Sequence, residues 1–340
     1  MKLTNIIHRW ADIEKLKRGE KIWPVMASFH TCNACNQHCI GCAHAGTHTD
    51  EMMPEADHFA LVESLLSVGV KAFDFAGGGE PLLQPYLPRL FEFIKSRGGY
   101  IGLLTNGLAL TTEMLKAIVA YCTYIRISLE ASCREDYAAY KQVPEAQWDT
   151  VIGNIKHLTA WTWHERSALE ISLKFSVNKM LFGMKHYERA ISLGRTLEVE
   201  SVNIKANRFS SLEILPLERI MEEKILMRAI ENLRAEKIAR YWVAQVPFSD
   251  VPQCWLNPFQ VVFDHAGNVS VCCYRYWDRD PELDLGNIYK RTFYDLWMDD
   301  SHWEKIKLIK RENCSRADCK FFSHHKAVNA SLRRRHVHFI

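Results

Sequence analysis

The chain has 340 residues, 48% hydrophobic and 24% charged, the proportions of a globular protein. A formal net charge of +3 is too near neutral to favour nucleic acid or an anionic membrane surface as a partner. No apolar run approaches the roughly 18 residues of a membrane span, and the charged N-terminus lacks a signal-peptide core, so a cytoplasmic protein is expected.

A charged opening segment, residues 1–22, precedes the extended stretch IWPVMAS. From His58 to Val70, residues Phe59, Val62, Leu65, Leu66 and Gly69 fall at helical spacing. KAFDFA reads as a short strand leading into GGGEPLL. YLPRLFEFIKSRGG is a helix ended by glycines, and YIGLLTNG a strand and turn. TTEMLKAIVAYC is a helix capped by Thr111 or Thr112. YIRISLEAS (strand), WDTVIGNIKHLTAW (helix), LEISLKFSVN (strand), KHYERAISLGRTL (helix) and VESVNIKANR (strand) follow. This alternation predicts βαβ units and a parallel sheet. A charged helical connector then spans residues 211–249. FQVVF and NVSVCC flank DHAG as a hairpin. LGNI, the helical FYDLWMDDSHWEKIKLIK and CSRADC come next, and a basic tail, residues 326–340, reads as a solvated terminus.

Alternate residues of a strand share a face. In YIRISLE, Arg126, Ser128 and Glu130 oppose Ile125, Ile127 and Leu129. In ISLKFSVN, Ser172, Lys174, Ser176 and Asn178 oppose Ile171, Leu173, Phe175 and Val177. In VNIKANR, Asn203, Lys205 and Asn207 oppose Val202, Ile204 and Ala206. The apolar faces should pack on helices, leaving a polar inner face. A closed barrel core is filled by branched apolar residues, so a polar one suggests a cavity for polar ligands. Mutual pairing of Arg126, Glu130 and Lys174 in a structural network is the alternative.

The eleven cysteines cluster. Cys32, Cys35, Cys39 and Cys42 form one group, and Cys254, Cys272, Cys273, Cys314 and Cys319 another. Cytosolic thiols stay reduced, so such grouping points to metal or redox chemistry rather than disulfides. Cys122, in an apolar helix, reads as a small core residue. Two CxxC pairs would suit zinc, but three residues between Cys35 and Cys39 leave little chain to fold four thiolates around one ion. The other parsing, Cys35-x3-Cys39-x2-Cys42, can bind three irons of a [4Fe–4S] cluster and leave the fourth open. Cys32 then falls outside the spacing.

Cys35, Cys39 and Cys42 match the CxxxCxxC signature of radical S-adenosylmethionine (SAM) enzymes, and the chain resembles that family from about Trp23 to Arg208. The resemblance implies an α/β fold, a partial (β/α)6 TIM-type barrel over residues 23–210. It implies a [4Fe–4S] cluster whose open iron chelates SAM and which cleaves SAM to a 5′-deoxyadenosyl radical. Gly78, Gly79, Glu80 and Pro81 match the family's GGEP motif, where backbone contacts the SAM amino group. Thr105-Asn106-Gly107 closes the third strand as in the family, with Asn106 counted as cofactor-binding. Ser128 and Glu130 sit where the family contacts the SAM ribose and carboxylate. Gly41 departs from the aromatic that many members carry beside the adenine. Residues 250–325 resemble the twitch or shortened SPASM module, a small α+β iron–sulfur domain. By that match Cys254, Cys272, Cys314 and Cys319 ligate one auxiliary [4Fe–4S] cluster, with Cys273 an alternative to Cys272 and zinc the alternative metal.

A carbon radical beside a hydroxyl becomes strongly reducing once the hydroxyl loses its proton, and a nearby cluster can accept the electron. Iron–sulfur potentials span roughly −700 to +450 mV, so such an acceptor is readily tuned. The leading expectation is oxidation, elimination or decarboxylation of a polar small molecule: a sugar, cyclitol or sugar-containing natural product. Lys174, Arg126 and Arg208 are candidate bases. Epimerisation is the second reading, with Cys133, just past the fourth strand, as hydrogen donor. Peptide modification is the third, weakened by the roughly 22 residues before the first strand, too few for the winged-helix leader domain those enzymes often carry. The family resemblance implies a flavodoxin- or ferredoxin-type electron donor.

Overall fold

The computed structural model describes residues 8–177, 180–181, 184–206, 239–242, 254, 257–272 and 284–308. The chain divides into two compact units. One comprises residues 29–59 and 72–243, the other residues 1–28, 60–71 and 244–340.

The first unit is a parallel α/β assembly. Its strands are β1 (Met26–His30, whose last two residues belong here), β2 (Ala72–Phe75), β3 (Tyr100–Thr105), β4 (Tyr124–Glu130), β5 (Glu170–Val177), β6 (Ser201–Ala206) and β7 (Ala239–Trp242). β2 to β7 pair in sequence order, each parallel to the next. The helices are α3 (Leu87–Ser96), α4 (Thr112–Tyr121), α5 (Arg134–Lys141), α6 (Ala146–His164) and α7 (Met184–Thr196), while α2 (Glu55–Ser67) begins in this unit and is grouped with the other from Ala60 onward. The expected period-2 pattern is realised. Ile125, Ile127, Leu129, Ile171, Leu173 and Phe175 are buried on the outer face. Phe75 meets Phe91 of α3 at 5.0 Å between ring centroids, and Gly194 of α7 sits so close to β6 that a Cβ would lie 2.3 Å from Val202. Thr111 caps α4, accepting from the Met114 N–H at 3.2 Å.

Three features differ from the sequence expectation. α5 was unforeseen; its polar sequence REDYAAYK conceals an inner face of Tyr137, Tyr140 and Lys141, all buried. β7 falls inside the stretch read as a helical connector, the rest of which lies outside the described residues. A helix α1 (Trp10–Lys17) occupies the opening segment.

The second unit is built on an antiparallel meander, β8 (Gln260–Asp264), β9 (Asn268–Ser270) and β10 (Asp284–Asn287). Asp264 closes the hairpin by accepting from the Ala266 and Asn268 N–H groups at 3.0 and 2.8 Å, and Gly267 takes φ +79°. The segment before β1 belongs to this unit. Trp297 Nε1 donates to the Ile22 carbonyl at 2.7 Å, and Lys21 Nζ donates to the Met298 carbonyl at 2.6 Å. The single helix expected over FYDLWMDDSHWEKIKLIK is two, α8 (Phe293–Met298) and α9 (Asp300–Leu308). Asp299 breaks it with extended backbone, ψ 136°, and its carboxylate accepts from the Ser301 N–H at 2.9 Å, capping the second piece.

Candidate cofactor and active site

The loop after β1 carries Cys35, Cys39 and Cys42, and its entry is held on two sides. Cys32 bridges Met52, while Met53 N–H donates to the Thr31 carbonyl and Asn33 N–H to the Glu51 carbonyl, at 2.8 and 2.9 Å. Opposite, Gly79 N–H donates to the Cys32 carbonyl at 2.6 Å and Glu80 N–H to the Ala34 carbonyl at 2.7 Å. A Cβ on Gly79 would lie 1.8 Å from the Ala34 oxygen, and one on Gly78 2.8 Å from the Cys32 oxygen. Gly78 and Gly79 therefore allow two backbones to touch. The middle of the loop is anchored on α5. His38 N–H donates to the Lys141 carbonyl at 3.0 Å, Ile40 N–H to the Tyr140 carbonyl at 2.9 Å, and Gln37 Nε2 to the Tyr137 hydroxyl at 2.7 Å.

Cys35, Cys39 and Cys42 are free and partly buried, and the three thiols interact electrostatically. Burial pushes the Cys35 thiol up to about 11 and raises that of Cys42, so a metal must displace their protons on binding. Among the described residues no three His, Cys, Asp or Glu side chains converge tightly enough for a single metal ion. Thiolates on different irons of a cubane stand wider apart than ligands of one ion, so an all-sulfur trio in one loop fits an iron–sulfur cluster better than zinc. Cys32, outside the CxxxCxxC spacing, is buried and donates to the Ala34 carbonyl at 3.4 Å, and burial pushes its thiol up to about 12.

Glu80 is fully engaged by protein. Its carboxylate accepts from Thr105 Oγ1 at 2.5 Å, the Leu82 N–H at 2.9 Å and the Asn106 N–H at 2.7 Å. It caps a short 3-10 turn opening with buried Pro81, and burial, opposed by those hydrogen bonds, raises its pKa. Asn106 carries the tie onward, donating to Asn36 Oδ1 at 2.7 Å while accepting from the Leu108 N–H at 2.9 Å.

At the C-terminal end of β4, Glu130 adopts φ +72° beside a register shift against β5. Lys174 Nζ donates to Glu130 Oε1 at 2.6 Å, and Ser176 Oγ donates to Oε2. Burial opposes ionisation of Glu130, but the charges of Lys174 and Lys141 outweigh it and lower its pKa. Arg126 is not part of this pair; its guanidinium lies 5.9 Å from the Tyr124 ring centroid. Ser128 offers its carbonyl to Lys141 Nζ at 2.7 Å. Cys133 caps α5 and its thiol donates to Asp136 Oδ2 at 3.0 Å. Burial, then that bond, raises the thiol pKa.

Lys141 and His48 escaped the sequence reading. Lys141 is only 2% exposed. Burial disfavours its charge, yet the neighbouring Cys39 and Glu130 outweigh this and hold its pKa above the ordinary lysine value. Its signal was the Tyr137, Tyr140, Lys141 spacing behind the acidic first turn Glu135-Asp136. His48 Nε2 lies 3.8 Å from Cys42 Sγ, with Nδ1 3.0 Å from the Asn33 carbonyl. In the second unit Cys254 packs on Val271, the neighbour of Cys272. Cys273, Cys314, Cys319 and Arg208 lie outside the described residues.

Residues 29–164 match the family model described as the radical SAM superfamily, and residues 254–320 match SPASM, an iron–sulfur cluster-binding domain. An S-adenosylmethionine-dependent nucleotide dehydratase of Lacinutrix mariniflava is 30% identical over 115 residues, 32% of this chain and 24% of that protein. The chain thus spans about a quarter of that relative's length. Fe-coproporphyrin III synthase of Methanosarcina barkeri is 21% identical over 316 residues, 85% of this chain and 75% of the relative. Among solved structures, Streptococcus suis SuiB bound to S-adenosylmethionine superposes with TM-score 0.69 at 12% identity, covering 94% of this chain and 76% of that one. Native anSMEcpe with bound AdoMet gives TM-score 0.64 at 16% identity, covering 89% and 88%. At these identities the superpositions establish the fold.

Proposed function

The chain belongs to the radical SAM superfamily and carries a SPASM iron–sulfur cluster-binding domain, and from that premise we propose that it modifies a polar small molecule: a sugar, cyclitol or sugar-containing natural product. Oxidation of a secondary alcohol is the leading outcome, with elimination or decarboxylation as variants. When bound, a [4Fe–4S] cluster with SAM and an auxiliary iron–sulfur cluster supply hydrogen-atom abstraction and electron acceptance.

The chain's own residues hold, orient and move protons. Cys35, Cys39 and Cys42 are the thiolate set for the first cluster. We assign one auxiliary cluster to Cys254, Cys272, Cys314 and Cys319. The backbone of Gly78 and Gly79, Ser128 and the Asn106 turn frame SAM. Glu80 acts through its ties to Thr105 and Asn106, which position the turn. Lys174 and Glu130, 2.6 Å apart on the inner face, are the pair through which a substrate hydroxyl proton leaves.

The observation that carries the substrate reading is the inner face itself. It presents Arg126, Ser128, Lys174 and Asn203, where a filled barrel would present branched apolar residues. The dehydratase matched over part of its length acts, by its name, on a nucleotide, also a polar small molecule.

The test is anaerobic incubation of the reconstituted protein with SAM, a reductant and a panel of sugars, nucleotides and peptides. A sugar should raise the yield of 5′-deoxyadenosine and pass deuterium from its carbinol carbon into it. If only peptides do so, the substrate reading fails. Retained product formation in Cys133→Ala separates oxidation from epimerisation, which would need that thiol.

A further inference from the structure

The inner face of the parallel sheet divides into side chains that satisfy one another and side chains left without a partner. Lys174 and Ser176 both donate to Glu130, and Ser172 Oγ donates to the Ile125 carbonyl at 3.3 Å. Lower down, Gly102 leaves room for the Tyr124 ring to lie across β3, where a Cβ would come within 2.3 Å of it. The Tyr124 hydroxyl donates to Asp74 Oδ1 at 2.6 Å. Arg126, over that ring, makes no hydrogen bond or ion pair among the described residues, and its Nε is buried. Asn203 of β6 is 7% exposed, and its amide nitrogen is likewise buried without a partner among the described residues.

Burying an unsatisfied donor costs about 1–3 kcal/mol, more when it is charged. Two such donors on one face call for an acceptor from outside the chain. Register sets the depth. Ser128, Lys174 and Asn203 lie level across β4, β5 and β6, while Arg126 sits one pleat repeat, about 7 Å, further from the Cys35–Cys42 loop end of β4.

We propose that Arg126 and Asn203 seat an anionic group of the substrate, a carboxylate or phosphate, below the cofactor level. The sugar substrate of the proposed function is then acidic or phosphorylated. It is held by its anionic end, with the reacting carbon directed towards the loop end of the barrel. This rests on the small-molecule reading for the rest of the substrate, but the seat is testable separately.

The probes are glucose, glucuronate and glucose 1-phosphate, which share one ring and differ in charge, with the tripeptide Gly-Asp-Gly alongside. Dissociation constants are measured by calorimetry on the iron-loaded protein with SAM, without reductant. At least one charged sugar should bind about tenfold to a hundredfold more tightly than glucose, the worth of a charge-assisted hydrogen bond. Whichever sugar does so distinguishes carboxylate from phosphate. Arg126→Gln should remove the preference, and Arg126→Lys should keep part of it. Asn203→Asp, which sets a negative charge at the seat, should weaken it even if Arg126→Gln fails to fold. Iron content and SAM affinity report folding. The seat is overturned if no charged probe binds wild type more tightly than its neutral counterpart, or if folded Arg126→Gln keeps the preference. Arg126-dependent binding of the acidic peptide alone would uphold the seat and sink the sugar reading. Tight binding of glucose alone would do the reverse.

Discussion

Gly79 is the residue on which the cysteine loop depends most directly. Its missing side chain leaves space for the Ala34 carbonyl, 1.8 Å from where a Cβ would stand. That neighbour is backbone, held by the Glu80 N–H at 2.7 Å, so it cannot yield as a flexible side chain would. Gly79→Ala should destabilise the protein by about 1–3 kcal/mol, as overpacking does, and reduce iron bound at Cys35, Cys39 and Cys42. Gly153 is the control. It lies in α6 with nothing within 4 Å of an added Cβ, so Gly153→Ala should stabilise by about 0.5–1 kcal/mol and leave iron content unchanged. Iron assay and denaturant midpoints on both variants check this; equal behaviour would remove the steric role of Gly79. The glycines were readable from GGGEP because a motif is local in sequence. Their partner was not. The motif says nothing of the surface within the chain that these glycines approach, residues 32–34. Glu80 repeats the pattern, since Thr105 and Asn106, which bind its carboxylate, stand 25 and 26 positions away.

At the scale of elements, β4 and β5 are joined by more than their ladder. Glu130, at φ +72° and 5% exposed, is neutralised by Lys174 from the neighbouring strand. Removing one partner of a buried pair strands the other charge and costs roughly 3–5 kcal/mol, whereas removing both is far milder. Because the Lys174 side chain is 27% exposed, the lower end of that range applies. Lys174→Met should therefore lower stability by about 3 kcal/mol, and adding Glu130→Gln should restore much of the loss. Equal losses in the single and double variants, by denaturant unfolding, would mean the pair is not coupled. Strand order and inner face were legible here because period-2 alternation is strong in ISLKFSV and RISLE. α5 was not, because its buried face consists of Tyr137, Tyr140 and Lys141, residues that pattern reading assigns to a surface. The break at Asp299 was hidden for a related reason. Apolar spacing runs on through DLWMDDSHW, and the competing side-chain cap that ends α8 is decided by geometry.

At the scale of the whole molecule, the two compact units interleave along the chain, with residues 1–28 and 60–71 grouped with residues 244–340. Contiguous boundaries drawn from composition cannot express that, because Trp297 meets Ile22 only once the chain has folded. Both units bury histidines, and His58 in one and His302 in the other contribute to an acid limit on stability. His58, completely buried against Phe29 at 4.7 Å, is pushed down to about 3 by burial, and His302, beside Trp297, to about 4. In the unfolded chain both titrate near 6.5. Between those values the unfolded state binds protons that the native state refuses. Stability is thus full above about pH 6.5 and falls as pH drops towards the folded values, by about 1.4 kcal/mol per histidine at pH 5.5. His58→Phe keeps an aromatic of similar size but loses the contact with the Tyr86 hydroxyl, 3.3 Å from Nδ1. It should be the less stable protein at pH 7.5, by about 1 kcal/mol, and match or exceed wild type at pH 5.5. Unfolding by urea under anaerobic conditions, followed by tryptophan fluorescence, measures this. Comparing two variants at each pH cancels whatever acid does to bound iron, so parallel curves for wild type and His58→Phe would show that His58 does not set the acid limit.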